Sequence, residues 1–225
     1  MSFVARVFKN ILVGLLAALF ALSVYASDQA DFFTAIQFNH VSSLPALLAR
    51  GVDPNSKEPL RGETALILAV HENANDVFDW LLSLKGVDIN AQANNGNTAI
   101  MLAAYLENSH AVAALLARGA EVNKTGWTAL HYAAMSGNDA IISALLEHAA
   151  YIDAQTPNGD TALMLALKGN KTSAVILLLD EGADPTIKNN QQETALDMAK
   201  KLEFRGMIEL IQQGVDQFDQ RQHSP

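Results

Sequence analysis

The chain has 225 residues, half of them hydrophobic, which suits one sizeable domain or an elongated array and is too apolar for global disorder. Its 24 acidic and 15 basic side chains leave a formal charge of −9, which argues against binding nucleic acid or an anionic membrane surface, since both need basic residues to meet phosphates. The lack of any cysteine removes thiol catalysis, thiolate metal ligation, disulfides and the attachment point of a bacterial lipoprotein.

Residues 1–26 read as a targeting segment. Arg6 and Lys9 precede an apolar run from Ile11 to Leu22, and no acidic residue interrupts it. A dozen apolar residues fall short of the ~20 that span a bilayer. Val24 and Ala26 supply the small residues of a signal-peptidase site, so cleavage is expected after Ala26. Losing Arg6 and Lys9 leaves 13 basic against 24 acidic side chains, a charge of −11. The basic-then-apolar order fits bacterial export to the periplasm, where a cysteine-free chain cannot mispair. An uncleaved signal anchoring the chain in the inner membrane is the alternative.

Downstream, the sequence repeats itself. Thr-Ala-Leu or Thr-Ala-Ile begins at Thr64, Thr98, Thr128, Thr161 and Thr194, at intervals of 34, 30, 33 and 33 residues. Seventeen residues after each of the first four comes a Leu-Leu pair: Leu81-Leu82, Leu115-Leu116, Leu145-Leu146 and Leu178-Leu179. Gly followed by Val or Ala and an acidic residue closes most copies, as in Gly119-Ala120-Glu121 and Gly182-Ala183-Asp184. An upstream copy, Ser43 to Asn55, keeps the Leu-Leu, Gly and Asp-x-Asn elements; its first helix is expected at about Gln29–Phe38.

These landmarks resemble the ankyrin repeat, in which G-x-T-P-L-H-x-A-A opens the first helix and L-L-x-x-G-A-D-V-N closes the second. The fullest match is Gly126-Trp127-Thr128-Ala129-Leu130-His131-Tyr132-Ala133-Ala134. The usual Pro is Ala in all five copies, and Ala is the better helix former. The resemblance implies an all-α fold: an ankyrin solenoid of about six helix-turn-helix repeats with short β-hairpin-like fingers. The repeats fall at about 28–56, 57–91, 92–124, 125–154, 155–187 and 188–214, and residues 215–225 read as a polar, frayed tail. The fourth repeat is irregular. Ala149 stands where Gly119 and Gly182 supply a left-handed cap, and the finger between Asn123 and Thr128 is three residues shorter than the one between Asn90 and Thr98.

Nothing in the sequence singles out a catalytic constellation. The six histidines form no His-x-x-x-His pair, and His131 occupies the family's structural position, bonded to nearby turn backbone. No nucleophile elbow, phosphate loop or dinucleotide fingerprint is present, and no metal or cofactor is expected. The resemblance implies a non-enzymatic module, monomeric and without stable membrane insertion once the signal is removed. It would bind another protein on its concave face, through finger tips and exposed ends of first helices. By offset from each Thr these positions are Arg61, Glu63 and His71; Asn95, Asn97, Tyr105 and Leu106; Trp127 and Met135; Asp160 and Lys168. Tyr105, Leu106, Trp127 and Met135 fit an interface core with a polar rim. Two roles suit such an exported protein: immunity to a secreted toxin, or assistance to a periplasmic enzyme such as a catalase.

Overall fold

The computed structural model describes residues 24–222. Most of the targeting segment therefore lies outside the described residues. The described chain is all-helical with no named strand, and it forms two compact bodies, one ending at Asp88 and one beginning at Ile89.

In the first body, helix α1 runs from the first described residue, 24, to 37. It starts ahead of the expected Gln29. A 3-10 turn at Val41–Ser43 leads into α2, Leu44–Ala49, and then come α3, Ala65–His71, and α4, Asn75–Ser83. Phe32, Phe33 and Ile36 of α1 bury with Leu44 and Leu47 of α2. Every residue of α3 from Ala65 to Val70 is buried, so this helix is apolar all round and needs packing on several sides. Thr64 caps it by accepting the Ile67 N–H at 3.5 Å.

The second body repeats the plan. Inner helices α5 (Ala99–Tyr105), α7 (Ala129–Ser136), α9 (Ala162–Lys168) and α11 (Ala195–Lys201) stack side by side. Each is followed by an outer helix: α6 (Ser109–Ala117), α8 (Asp139–Glu147), α10 (Thr172–Asp180) and α12 (Arg205–Gln222). Ala103, Ala104, Ala133 and Ala134 are fully enclosed, and their small side chains let neighbouring inner helices approach closely. Asn108 and Asn138 cap α6 and α8 through their side-chain oxygens. Between the two helices of each repeat sits one residue with left-handed backbone: Asn39, Asn73, Glu107, Gly137, Asn170 and Glu203.

Successive repeats are also joined through one side chain. Asn55 donates to the Gly86 carbonyl at 2.8 Å and accepts the Asp88 N–H at 2.8 Å, both within the first body. In the second body Asn90 accepts the Glu121 N–H, Asn123 bridges the Ala149 carbonyl and Tyr151 N–H, and Asp153 accepts the Asp184 N–H, all at 2.8–2.9 Å. Asp153 is the one acid in this series. Burial, together with the charge of Asp184, raises its pKa against the lowering by the Asp184 N–H.

The fingers are hydrogen-bonded turns rather than paired strands. Ala93 N–H reaches Asn97 O at 2.9 Å, and Thr156 reaches Asp160 and Asn189 reaches Glu193 in the same way. An isolated bridge joins Lys57 and Thr64 in the first body.

For residues 215–222 the structure corrects the reading of a frayed tail, and 223–225 lie outside the described residues. Helix α12 continues without a break to Gln222. Met207 and Ile211 are buried, Val215 and Phe218 prolong the same stripe half-buried, and Gly214 lies so close to α10 that a Cβ there would sit 2.8 Å from Leu179 Cδ2. Polar residues around this stripe hide its periodicity in the sequence.

Ala149 adopts φ 61°, where Gly119 has 77° and Gly182 has 92°. Left-handed backbone costs Ala more than Gly, so Ala149→Gly is expected to stabilise the chain by about 0.5–1 kcal/mol in urea unfolding. An unchanged or lower stability would show that the Ala is unstrained. Asp153→Asn keeps the acceptor and removes the disfavoured charge. Its thermal midpoint should exceed that of the parent at pH 7, with the gap closing as the pH falls and Asp153 takes up its proton.

Candidate protein-binding face

The expected binding positions are built from two places in each repeat, the finger residues just before the capping Thr and the exposed end of the inner helix. In the first body these are occupied by charges that hold one another. His71 Nδ1 lies 2.8 Å from Glu63 Oε1, Arg61 Nε lies 3.2 Å from Glu63 Oε2, and Arg61 Nη2 lies 3.6 Å from Glu72 Oε1. Beneath them, the Glu58 carboxylate accepts the N–H groups of Leu60 at 2.8 Å, of Arg61, and of Glu63 at 3.4 Å. Burial opposes its charge, but these N–H donors and Arg61 outweigh that and keep its carboxyl below the ordinary range. The finger is thereby fixed with Leu60 at its tip, 88% exposed. Sequence reasoning missed Leu60, although Pro59-Leu60 in an unusually long finger was the available signal.

The same division recurs in the second body. Lys168 Nζ meets Asp160 Oδ2 at 2.6 Å, and Asn189 Nδ2 donates to the other oxygen of Asp160 at 3.1 Å. Asp160 is buried, so its carboxylate is a structural group rather than a free contact. Lys201 likewise meets Glu193 at 2.8 Å.

Between these ion pairs and the start of the body the corresponding positions are aromatic and apolar. Tyr132, on α7, gathers them. Its ring stacks on Trp127 with centroids 5.1 Å apart and meets the edge of Tyr105 at 5.7 Å, while its hydroxyl donates to Asn97 Oδ1 at 3.0 Å. Asn95 Oδ1 accepts the Asn97 N–H at 3.0 Å. Tyr105 is 49% and Leu106 44% exposed, whereas Trp127 and Met135 are half-buried. Beside the stack opens a cleft of ≈ 350 Å³ between Asn95–Asn97 on one side and Lys124, Trp127 and Pro157 on the other. Tyr132 was absent from the positions read by offset. It sits four residues after the capping Thr, where the other repeats carry Leu68, Leu102, Leu165 and Met198, and that departure from an apolar column was the clue.

His131 lies beneath the stack, 1% exposed, with its ring edge-on to Trp127 at 5.9 Å. Its Nδ1 accepts the Thr128 N–H at 3.0 Å and faces the Thr128 hydroxyl at 2.9 Å, while Nε2 donates to the Ala154 carbonyl at 2.9 Å. The Thr128 oxygen in return accepts the His131 N–H, closing a reciprocal cap. Burial lowers the ring's pKa, and the Ala154 carbonyl and Asp160 offset this only in part. The role of His131 is thus to tie α7 to the next finger. Among the described residues no group of three or more His, Asp and Glu side chains could hold a metal ion. Nor is any described helix long and apolar enough to cross a membrane.

A neutral His131 makes stability pH-dependent in a definite direction. Its contribution is complete above the ordinary histidine value near 6.5 and is lost as the pH falls from there through the lower folded value. His131→Gln, which cannot take that proton, should show a flatter thermal midpoint between pH 6.5 and 5 than the parent. In the parent, the His131 ring should titrate below 6.5 by NMR. Parallel profiles together with an ordinary titration midpoint would contradict this assignment.

Comparison with known proteins agrees with this architecture. A family model described as ankyrin repeats (3 copies) matches residues 32–125 and 70–156, and one described as ankyrin repeats (many copies) matches 145–199. The human transient receptor potential cation channel subfamily A member 1 is 32% identical over 167 residues, 68% of this chain and 15% of that protein. Human SH3 and multiple ankyrin repeat domains protein 2 is 27% identical over 203 residues, 73% of this chain and 11% of that protein. The chain therefore spans only a small part of the length of both. Among solved structures, an ankyrin repeat domain from Acinetobacter baumannii superposes with a TM-score of 0.72 at 24% identity, covering 82% of this chain and 97% of that one. The ankyrin repeat domain of Bcl-3 follows with a TM-score of 0.65 at 28% identity, covering 73% and 75%. With paired helices, capped inner helices and these matches across most of its length, the chain belongs to the ankyrin repeat family.

Proposed function

We propose that the chain is a non-catalytic, monomeric module that binds one partner protein on the finger and inner-helix-end face of its second body, centred on Tyr105, Tyr132 and Trp127. The observation that carries this reading is the contrast along that face. The acidic pre-cap residues on it are consumed in ion pairs, as at Asp160–Lys168, while the aromatic group keeps Tyr105 and Leu106 about half exposed. Rigid aromatic side chains lose little entropy on binding, and they supply the anchors of most interfaces. Ankyrin domains in general act as interaction modules, which supports the class of function. On the strength of Arg6, Lys9, the apolar run from Ile11 and the small residues before Ser27, we place this activity in the periplasm.

Affinity capture from periplasmic extract with the parent chain, followed by mass spectrometry, tests the reading. A folded Tyr105→Ala/Trp127→Ala variant should lose the captured partner, each truncation costing about 2 kcal/mol or more of binding. Retention of the partner at parental strength by this variant would place the site elsewhere. N-terminal sequencing of the chain recovered from cells should begin at Ser27, and an intact N-terminus would mean a membrane-anchored form instead.

A further inference from the structure

The cleft beside the Trp127–Tyr132 stack has an unequal supply of hydrogen-bonding groups. Three of its acceptors already hold a donor: Asn95 Oδ1 holds the Asn97 N–H, Asn97 Oδ1 holds the Tyr132 hydroxyl, and the Gly96 carbonyl holds Lys124 Nζ at 2.6 Å. Donors are left over. Lys124 spends one of its three ammonium protons on Gly96, and among the described residues neither the Asn95 side-chain amide nor the Trp127 indole N–H donates to another group. Lys124 has no ion pair with a carboxylate among the described residues, and no acidic side chain lines the cleft. Lys124 is thus a half-buried cation beside an aromatic wall.

We propose that this cleft receives an aspartate or glutamate side chain of the partner, presented in a segment whose neighbouring apolar or aromatic side chain packs on Trp127 and Pro157. The proposal rests on the reading that the aromatic centre is the binding face, and it adds the chemistry that the face selects. A carboxylate supplies two acceptor oxygens, enough for the Lys124 ammonium and a second donor from Asn95 or Trp127. The single positive charge of Lys124 matches a monoanion, whereas a phosphate dianion would require a second cation that the cleft does not offer. An arginine or lysine of the partner would meet Lys124 with like charge. The surrounding negative charge of the chain disfavours acidic segments elsewhere, so the preference is local to this cleft.

The test uses the full chain and a synthetic random octapeptide library on beads. Selected peptides are expected to carry Asp or Glu within two residues of Trp, Tyr, Phe, Leu or Pro, enriched about fivefold over the library. For the tightest peptide, replacing its acid by the corresponding amide should weaken binding to the parent about tenfold, and binding to Lys124→Met by less than about twofold. Lys124→Arg, which keeps the charge, should bind within about threefold of the parent, and this variant separates a lost contact from a lost fold. Selection of acid-free or basic peptides, equal amide effects in the parent and Lys124→Met, or no selection at all would each overturn the proposal. If that happens while capture of the natural partner still depends on Tyr105 and Trp127, the inference fails and the binding face stands. If that dependence is also absent, the face itself is wrong.

Discussion

An inner helix of seven residues that is apolar on every side cannot be sheltered by its own repeat. Helix α9 shows the constraint: each residue from Ala162 to Leu167 is buried, and it lies between α7 and α11 with α10 behind. Each repeat thus depends on its neighbours for most of its burial, and stability accrues at the junctions. The side-chain bridges from Asn90, Asn123 and Asp153 set the spacing at those junctions by satisfying backbone groups of the next repeat. The fingers and the exposed ends of the inner helices are among the surface that the stacking does not need.

At equivalent positions of its repeats the chain uses two different chemistries. Where the pre-cap residue is acidic, as at Glu63, Asp160 and Glu193, the residue eight positions on is basic or His, and the two pair. Such pairs brace the finger against the helix end and present little that a partner could exploit without breaking them. Where the pre-cap residues are Asn97 and Trp127, the positions eight residues on are Tyr105 and Met135, and the bracing passes to Tyr132 through stacking and one hydroxyl bond. An aromatic brace leaves π faces and unspent donors at the surface. In the second body these faces and donors lie together around Tyr132.

The inner helices were legible because one residue type starts them: Thr64, Thr98, Thr128, Thr161 and Thr194 each stand immediately before a helix. The anomaly at Ala149 was legible for a similar reason, since backbone hand is a local property. Residues whose role depends on what they meet were not. Offsets placed Asp160 and Lys168 on the face one at a time, but only the folded chain shows that they neutralise each other. Tyr132 falls within a repeat motif and outside the positions read by offset, and Glu58 gives no sequence sign that its carboxylate organises a turn. Residues 215–222 were misread because composition outweighed periodicity. Gln and Asp dominate there, but Ile211, Val215 and Phe218 keep a helical spacing.

That last helix bears on how the array can change in length. At 18 residues α12 is twice as long as α6, α8 or α10; its outward side carries Glu209 and Asp216, and Gln213 and Gln217 are exposed on its flank towards α10. A further repeat added beyond it would have to seat apolar side chains on this charged and amide-rich surface. Duplication of a repeat inside the second body meets no such obstacle, because the inner helices there bury apolar side chains against one another. In the second body, therefore, an added repeat finds an apolar seat at an internal junction and a polar one beyond α12.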